Sequence, residues 1–137
     1  MTLSKIGYQV ASWAFVTVGI GHTFTYLFSP KNTEQIDFIE KMHSFSISIA
    51  NQNVSIFSFY EGFSLMMGLL LIAYGSINLL ISKNNTSSII PANIIVFNIL
   101  VSSTALVFSI IYFFIVPVVF TGLATLGYSF SLIARKK

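Results

Sequence analysis

Four long apolar stretches, separated by polar or proline-containing segments, dominate the pattern of hydrophobic and polar positions along the chain. They cover roughly residues 8–28, 56–80, 92–116 and 118–134. A helix needs about 20 mostly apolar residues to cross the roughly 30 Å hydrocarbon core of a bilayer. The pattern therefore predicts an all-α protein, a single membrane domain over residues 1–137 with four transmembrane helices. Pro117 falls between the last two stretches and predicts a tight turn there.

Small and polar residues recur within each stretch at alternating steps of three and four. Because lipid is as apolar as leucine, such residues mark the faces where membrane helices contact one another. The spacing predicts an up-down-up-down, left-handed four-helix bundle. The four stripes are Tyr8, Ser12, Phe15, Gly19, His22 and Tyr26; Glu61, Ser64, Gly68, Leu71, Gly75, Asn78 and Ser82; Asn98, Ser102, Ala105, Ser109 and Tyr112; and Thr121, Ala124, Tyr128 and Ser131.

The segment 29–55 is the one sizeable polar loop. Asn32 and Gln35 are spaced as a capping box, and apolar residues then recur at near-helical intervals up to Met42. We expect a short amphipathic helix lying on the membrane surface, followed by a polar turn at Asn51–Asn53.

Composition and charge support a membrane protein and predict its orientation. Hydrophobic residues make up 55% of the chain and charged residues 8%, with a mean hydropathy of +0.83, so charges are too few to cover a water-facing surface. Cationic residues concentrate on one predicted side, which places both termini in the cytoplasm. That side has Lys5, Lys83, Arg135, Lys136 and Lys137; the other has Lys31 and Lys41, diluted by Glu34, Asp37 and Glu40. External labelling of a cysteine placed after Lys137 would contradict this topology.

The same charges bear on partners and localisation. The basic C-terminal cluster directly follows an apolar stretch, which favours a cytoplasmic membrane anchor over nucleic-acid binding. We expect a multi-pass protein of the cell membrane. The chain has no cysteine, so thiolate chemistry and cysteine metal ligands are excluded.

Counting depth along the helices predicts two polar layers. His22 and Glu61 fall at matching depth below the outer surface, and Glu61 is the only carboxylate within a span. A charged carboxylate facing lipid is costly, so we expect it to face inward and to pair with His22. The outer layer, a candidate pocket, comprises His22, Tyr26, Glu61, Ser64, Ser109, Tyr112 and Thr121. The inner, uncharged layer comprises Ser12, Asn78, Asn98, Tyr128 and Ser131, with Asn78 and Asn98 as a structural amide bridge.

Three functions fit these layers. Non-enzymatic binding of a lipid or quinone-like ligand, or a role as an accessory subunit beside a membrane-protein partner, comes first. An intramembrane acid–base enzyme would use Glu61 and His22 on a lipid-like substrate, and polar pairs of this kind also serve simply to tie helices together. An oligomeric transporter or proton path built from several copies is a third alternative. No zinc, di-iron, phosphate-loop or nucleophile motif is present, so no metal or cofactor is expected.

Several short motifs resemble those of small, uncharacterised bacterial four-helix membrane proteins loosely akin to the DoxX-like group. They are the Gly21-His22 pair, Met42 and Phe45 in the loop, and the run from Phe59 to Leu65. The resemblance implies a bacterial inner-membrane protein and assigns no activity. Sterol isomerases of the emopamil-binding type also place histidine and glutamate inside a small bundle, but their fuller polar constellation is missing here.

Overall fold

The computed structural model describes residues 2–85 and 90–135, and these residues are mostly helical. The expected all-α class is confirmed. Lys136 and Lys137 of the C-terminal basic cluster lie outside the described residues. The elements, in order, are α1 (Leu3–Phe28), α2 (Thr33–Ser44), β1 (Ser46–Ile49), β2 (Gln52–Ser55), α3 (Ile56–Asn84), α4 (Ala92–Tyr112) and α5 (Ile115–Ala134).

Helix α2 forms where the capping box predicts it. The side chain of Asn32 accepts a hydrogen bond from the Gln35 backbone N–H at 2.8 Å, and the Gln35 side chain accepts one from the Asn32 N–H at 3.0 Å. These two bonds satisfy donors that a helix start otherwise leaves unpaired. The half-buried Ile39 and Met42 lie on one side of the helix, so α2 covers the adjacent ends of α1 and α3.

A two-stranded antiparallel hairpin follows α2 and was not expected from the sequence. The predicted polar turn at Asn51–Asn53 is wrong: the turn residues are Ala50 and Asn51, with φ angles of 50° and 64°, while Gln52 and Asn53 belong to β2. Two successive residues with positive φ are typical of the tightest hairpins. The turn has no signal in the sequence, because alanine, which rarely adopts a positive φ, stands where a glycine would be expected.

The boundary between the last two helices lies before Pro117. The predicted break at that proline, between stretches 92–116 and 118–134, is wrong: α4 ends at Tyr112 and α5 begins at Ile115. Pro117 is the third residue of α5. Its missing N–H costs nothing there, because the first turn of a helix has no intrahelical acceptors for its N–H groups.

Helix α1 lies between α3 and α5, and α4 packs against α5. Glycines allow the closest approaches. A Cβ built on Gly75 would lie 2.6 Å from the Ser12 backbone oxygen, and one on Gly19 would lie 3.0 Å from the Gly68 oxygen. Helices α1 and α5 also approach closely at glycines, since a Cβ on Gly7 would lie 2.9 Å from the Gly127 backbone oxygen. Side chains at these positions would force the helices apart.

The outward surface of the helices is rich in large apolar side chains, such as Phe108, Ile111 and Leu126. Among residues 2–85 and 90–135, three helices are long and apolar enough to cross a membrane: α3, α4 and α5. Helix α1 carries more polar residues, and these turn toward its neighbours, with Ser12 fully buried and His22 half-buried.

Candidate functional site

A closed hydrogen-bond network ties together the first turns of α1, the last turns of α3 and the first turns of α4. Asn98 donates through Nδ2 to the Asn78 Oδ1 at 2.7 Å and to the Tyr8 hydroxyl at 3.0 Å. The Tyr8 hydroxyl donates to Asn78 Oδ1, and the Tyr74 hydroxyl donates to Asn98 Oδ1. Asn78 Nδ2 donates to the Tyr74 backbone oxygen at 3.0 Å. The Tyr8 and Tyr74 hydroxyls and both N–H groups of the Asn98 amide are therefore used within the network.

This network contains the pair of amides that the sequence predicted and one further residue, Tyr74. The predicted hydrogen bond between the Asn78 and Asn98 amides is present. Tyr74 was not identified from the sequence, because it lies beside the polar stripe of its helix rather than on it. A buried polar cluster whose members hydrogen-bond to one another stabilises a bundle.

The other predicted inner-layer residues join α1 to α5. Ser12 and the Tyr128 hydroxyl lie 3.2 Å apart, and Ser4 donates to the Ser131 backbone oxygen at 2.8 Å. The rings of Tyr8 and Tyr128 meet edge to face, with centroids 5.2 Å apart. All five of these residues are fully or almost fully buried. The inner layer therefore holds the helices in place.

His22 lies one helical turn beyond the close α1–α3 approach and contacts Ser64. Its Nε2 is 3.0 Å from the Ser64 backbone oxygen and 3.1 Å from the Ser64 hydroxyl. Gly68 makes this contact feasible, because a Cβ there would clash with the Thr23 hydroxyl and lie 3.4 Å from the His22 ring. A carbonyl oxygen only accepts, so Nε2 carries the proton in this contact.

Glu61 has a different partner. Its carboxylate accepts a hydrogen bond from the Tyr26 hydroxyl at 3.2 Å, and the side chain is half-exposed. The predicted direct pairing of His22 with Glu61 is therefore not formed within the described part of the chain. The two residues were expected at matching depth, but the antiparallel contacts between α1 and α3 set Ser64 opposite His22 and Glu61, about one turn nearer the start of α3, opposite Tyr26.

An apolar cavity that reaches His22 is a groove of about 660 Å³ between α3 and α4, here called the α3–α4 groove. Its floor is formed by α1. Met66 and Leu70 on its rim are exposed, so the groove is open to the surroundings of the protein. The lining comprises Phe15, His22, Tyr60, Phe63, Ser64, Met66, Met67, Leu70, Leu71, Tyr74, Val101, Ala105 and Phe113.

Two further cavities meet the groove at His22. One, of about 190 Å³, lies between α1, α4 and α5 and is lined by Ser109 and Thr121 as well as His22. The other, of about 420 Å³, lies beside the start of α5 and includes Tyr26 and Ser64. His22 is thus the polar residue common to all three spaces, and six of the seven predicted outer-layer residues lie in or beside them.

Tyr112 is the exception. It was expected to face the pocket, but its side chain is 73% exposed and its ring packs against Phe108 on the outer surface of α4. The helix ends at this residue, so no further turn of α4 and no neighbouring helix encloses it. The inward stripe of α4 therefore stops at Ser109, which is buried.

A fourth cavity, of about 810 Å³, lies under α2 and is more polar. Its lining includes Lys31, whose ammonium lies 6.0 Å from the centre of the Phe57 ring. Tyr26 and Tyr60, with ring centroids 6.3 Å apart, line both this cavity and the one beside α5. The two tyrosines thus stand between the surface cavity and the interior.

The polar groups facing these spaces are few. The Thr121 hydroxyl donates a hydrogen bond to the Pro117 backbone oxygen at 2.7 Å. Within residues 2–85 and 90–135, no group of three or more histidine or acidic side chains is arranged to hold a metal ion. Comparison with protein-family models, with curated proteins and with solved structures finds no match to this chain. The resemblance to DoxX-like proteins stays an expectation.

Proposed function

We propose that this chain is an integral membrane protein whose helices α1, α3, α4 and α5 cross the bilayer as an up-down-up-down bundle. The length and apolar character of α3, α4 and α5 support this. Helix α1 has 26 residues, about 39 Å at a rise of about 1.5 Å per residue, which exceeds a hydrocarbon core of roughly 30 Å. Ser4 and Ser12 bond to α5 and His22 bonds to α3. Large apolar side chains of α1, such as Trp13, Ile20 and Phe24, are exposed and would meet lipid.

The proposed orientation has both termini in the cytoplasm and α2 with the hairpin outside. Lys5 donates to the Asn85 backbone oxygen at 3.4 Å, which brings the start of α1 to the end of α3, where Lys83 lies. The bond between Ser4 and Ser131 brings the end of α5 to the same place. Cationic residues therefore gather at one end, as the positive-inside rule requires of the cytoplasmic side.

The proposed activity is non-enzymatic binding of an apolar ligand in the α3–α4 groove. One observation supports it above all: the groove is almost entirely apolar, open along its rim, and lined near its floor by the hydrogen-bonded pair His22 and Ser64. Sites for lipid-like molecules combine an apolar channel with one or two convergent polar groups. The ligand chain would lie along Met67 and Leu71, with its polar end at His22.

Binding is favoured over acid–base catalysis by the partners of the two ionisable residues. A general acid–base pair acts on a proton that both groups reach. His22 instead contacts Ser64, while Glu61 is held by Tyr26 away from the groove floor. Catalysis with this pair would require both contacts to be broken.

Filling the groove tests the proposal. Ala105 on α4 faces the groove and the 190 Å³ cavity, so Ala105→Phe should occupy the space where the ligand would lie. We expect the ligand retained in mild detergent, measured by native mass spectrometry, to fall about tenfold, the equivalent of roughly 1.4 kcal/mol of lost contact.

Val107→Phe is the matched control, because Val107 is on the same helix and 52% exposed. It should retain the ligand at the wild-type level, and both variants should keep the wild-type melting temperature. Equal retention by Ala105→Phe and Val107→Phe would contradict ligand binding in the groove.

A further inference from the structure

The hydrogen-bonding roles of the polar atoms at the groove floor restrict the chemistry of the ligand. Nε2 of His22 donates to the Ser64 carbonyl, so the neutral ring has its lone pair on Nδ1. Nδ1 makes no hydrogen bond within the described part of the chain. Among the same residues, the only enclosed side-chain nitrogen or oxygen without a partner is Arg135 Nε. Nδ1 is therefore an accessible, unused acceptor on a residue that lines three cavities.

The neighbouring hydroxyls do not discriminate between ligands. Ser64 lines the groove beside His22, and Ser109 lines the smaller cavity. A serine hydroxyl rotates and either donates or accepts, so it serves a ligand of either kind. Nδ1 is different, because in this tautomer it only accepts. The one atom with a fixed role thus calls for a donor on the ligand.

We infer that the groove selects an apolar molecule ending in a hydroxyl group, such as a long-chain alcohol or a quinol, over the corresponding ether, ester or quinone. This rests on the proposed binding function and adds the class of ligand. The hydroxyl donates to His22 Nδ1 and accepts from a serine hydroxyl, so each of its hydrogen-bonding capacities is met. An ether or quinone oxygen has no hydrogen to give and leaves Nδ1 unpaired, a loss for a polar atom in an apolar space.

The contact with Ser64 also fixes the orientation of the His22 ring. With His22 held by the backbone of α3, the ring cannot turn Nε2–H toward the ligand without losing two contacts of 3.0 and 3.1 Å. The carbonyl is a fixed part of helix α3 and does not follow a rotating ring. His22 is therefore presented to the groove as an acceptor in advance of binding.

Competition between matched probes tests this. The wild-type protein in mild detergent is incubated with equal amounts of hexadecanol, its methyl ether and hexadecane, and the bound species are counted by native mass spectrometry. We expect the alcohol to exceed the ether about threefold to tenfold, the effect of one net hydrogen bond. In His22→Phe the preference should vanish while both probes still bind. Thr104→Ala, an exposed hydroxyl on α4, should keep the wild-type preference.

The outcomes separate the two proposals. If the wild-type protein binds alcohol and ether equally and Ala105→Phe binds neither, the inference about the hydroxyl group is overturned and the groove remains a binding site. An alcohol preference that survives in His22→Phe would also overturn it. Absence of groove-dependent binding for all three probes would overturn the proposed function itself.

Discussion

Replacing Asn98 with alanine should lower the free energy of unfolding by about 2–4 kcal/mol, because it removes two buried hydrogen bonds and leaves Asn78 Oδ1 and the Tyr8 hydroxyl with only the bond that joins them. The Tyr74 hydroxyl also loses its acceptor. Because the network joins three helices, its loss should loosen α4 from α1 and α3 at once. Reversible unfolding in a detergent titration measures the effect.

A double-mutant cycle with Tyr74→Phe makes the prediction specific to the network. Tyr74→Phe removes one hydroxyl and leaves the ring packed edge to face on Phe15, with centroids 4.9 Å apart. If the two residues act together, the double variant should lose less stability than the sum of the single variants, by about 0.5–2 kcal/mol. Strict additivity would contradict a shared network.

Replacing Gly75 with alanine should also destabilise the protein, by about 1–3 kcal/mol, although alanine is the better helix former. The added Cβ would lie 2.6 Å from the Ser12 backbone oxygen and 2.9 Å from the Val16 backbone nitrogen. Backbone atoms of a packed helix do not move aside independently, so α1 and α3 would have to separate. Thermal unfolding monitored by circular dichroism reports the loss.

Gly62 provides the matched control on the same helix. A Cβ built there meets nothing within 4 Å, and the residue is exposed. Gly62→Ala should therefore leave stability unchanged or raise it by up to about 1 kcal/mol through helix propensity alone. A drop at Gly62 equal to that at Gly75 would show that the close helix contact is not what gives Gly75 its role.

The helix faces could be predicted from the sequence because each is defined within a single element. Steps of three and four residues identify the buried stripe whatever the neighbour is, and Gly68, Asn78 and Ser131 are buried as the spacing indicates. The start of α2 was equally local, since Asn32 and Gln35 satisfy each other. The amide bridge followed because asparagine in an apolar span needs a polar partner.

The partners of His22 and Glu61 could not be predicted, because they depend on the register in which α3 packs along α1. Counting residues from the expected ends of the spans gives depth only to about one turn, and the register is set here by the close contacts at Gly68 and Gly75. That register brings Ser64 to His22 and Glu61 to Tyr26. The hairpin was not predicted for another reason: its turn at Ala50 lacks the glycine that signals positive φ.

Photochemical labelling tests the central claim, a ligand site in the α3–α4 groove, most directly. The probe is a long-chain alcohol that carries a diazirine on its alkyl chain, added to the protein in lipid nanodiscs and mapped by peptide mass spectrometry. The account predicts labelling concentrated at Met67 and Leu71 of α3 and Val101 of α4, and suppressed by unlabelled hexadecanol. Labelling spread over exposed α5 residues such as Leu126 and unaffected by the competitor would contradict it.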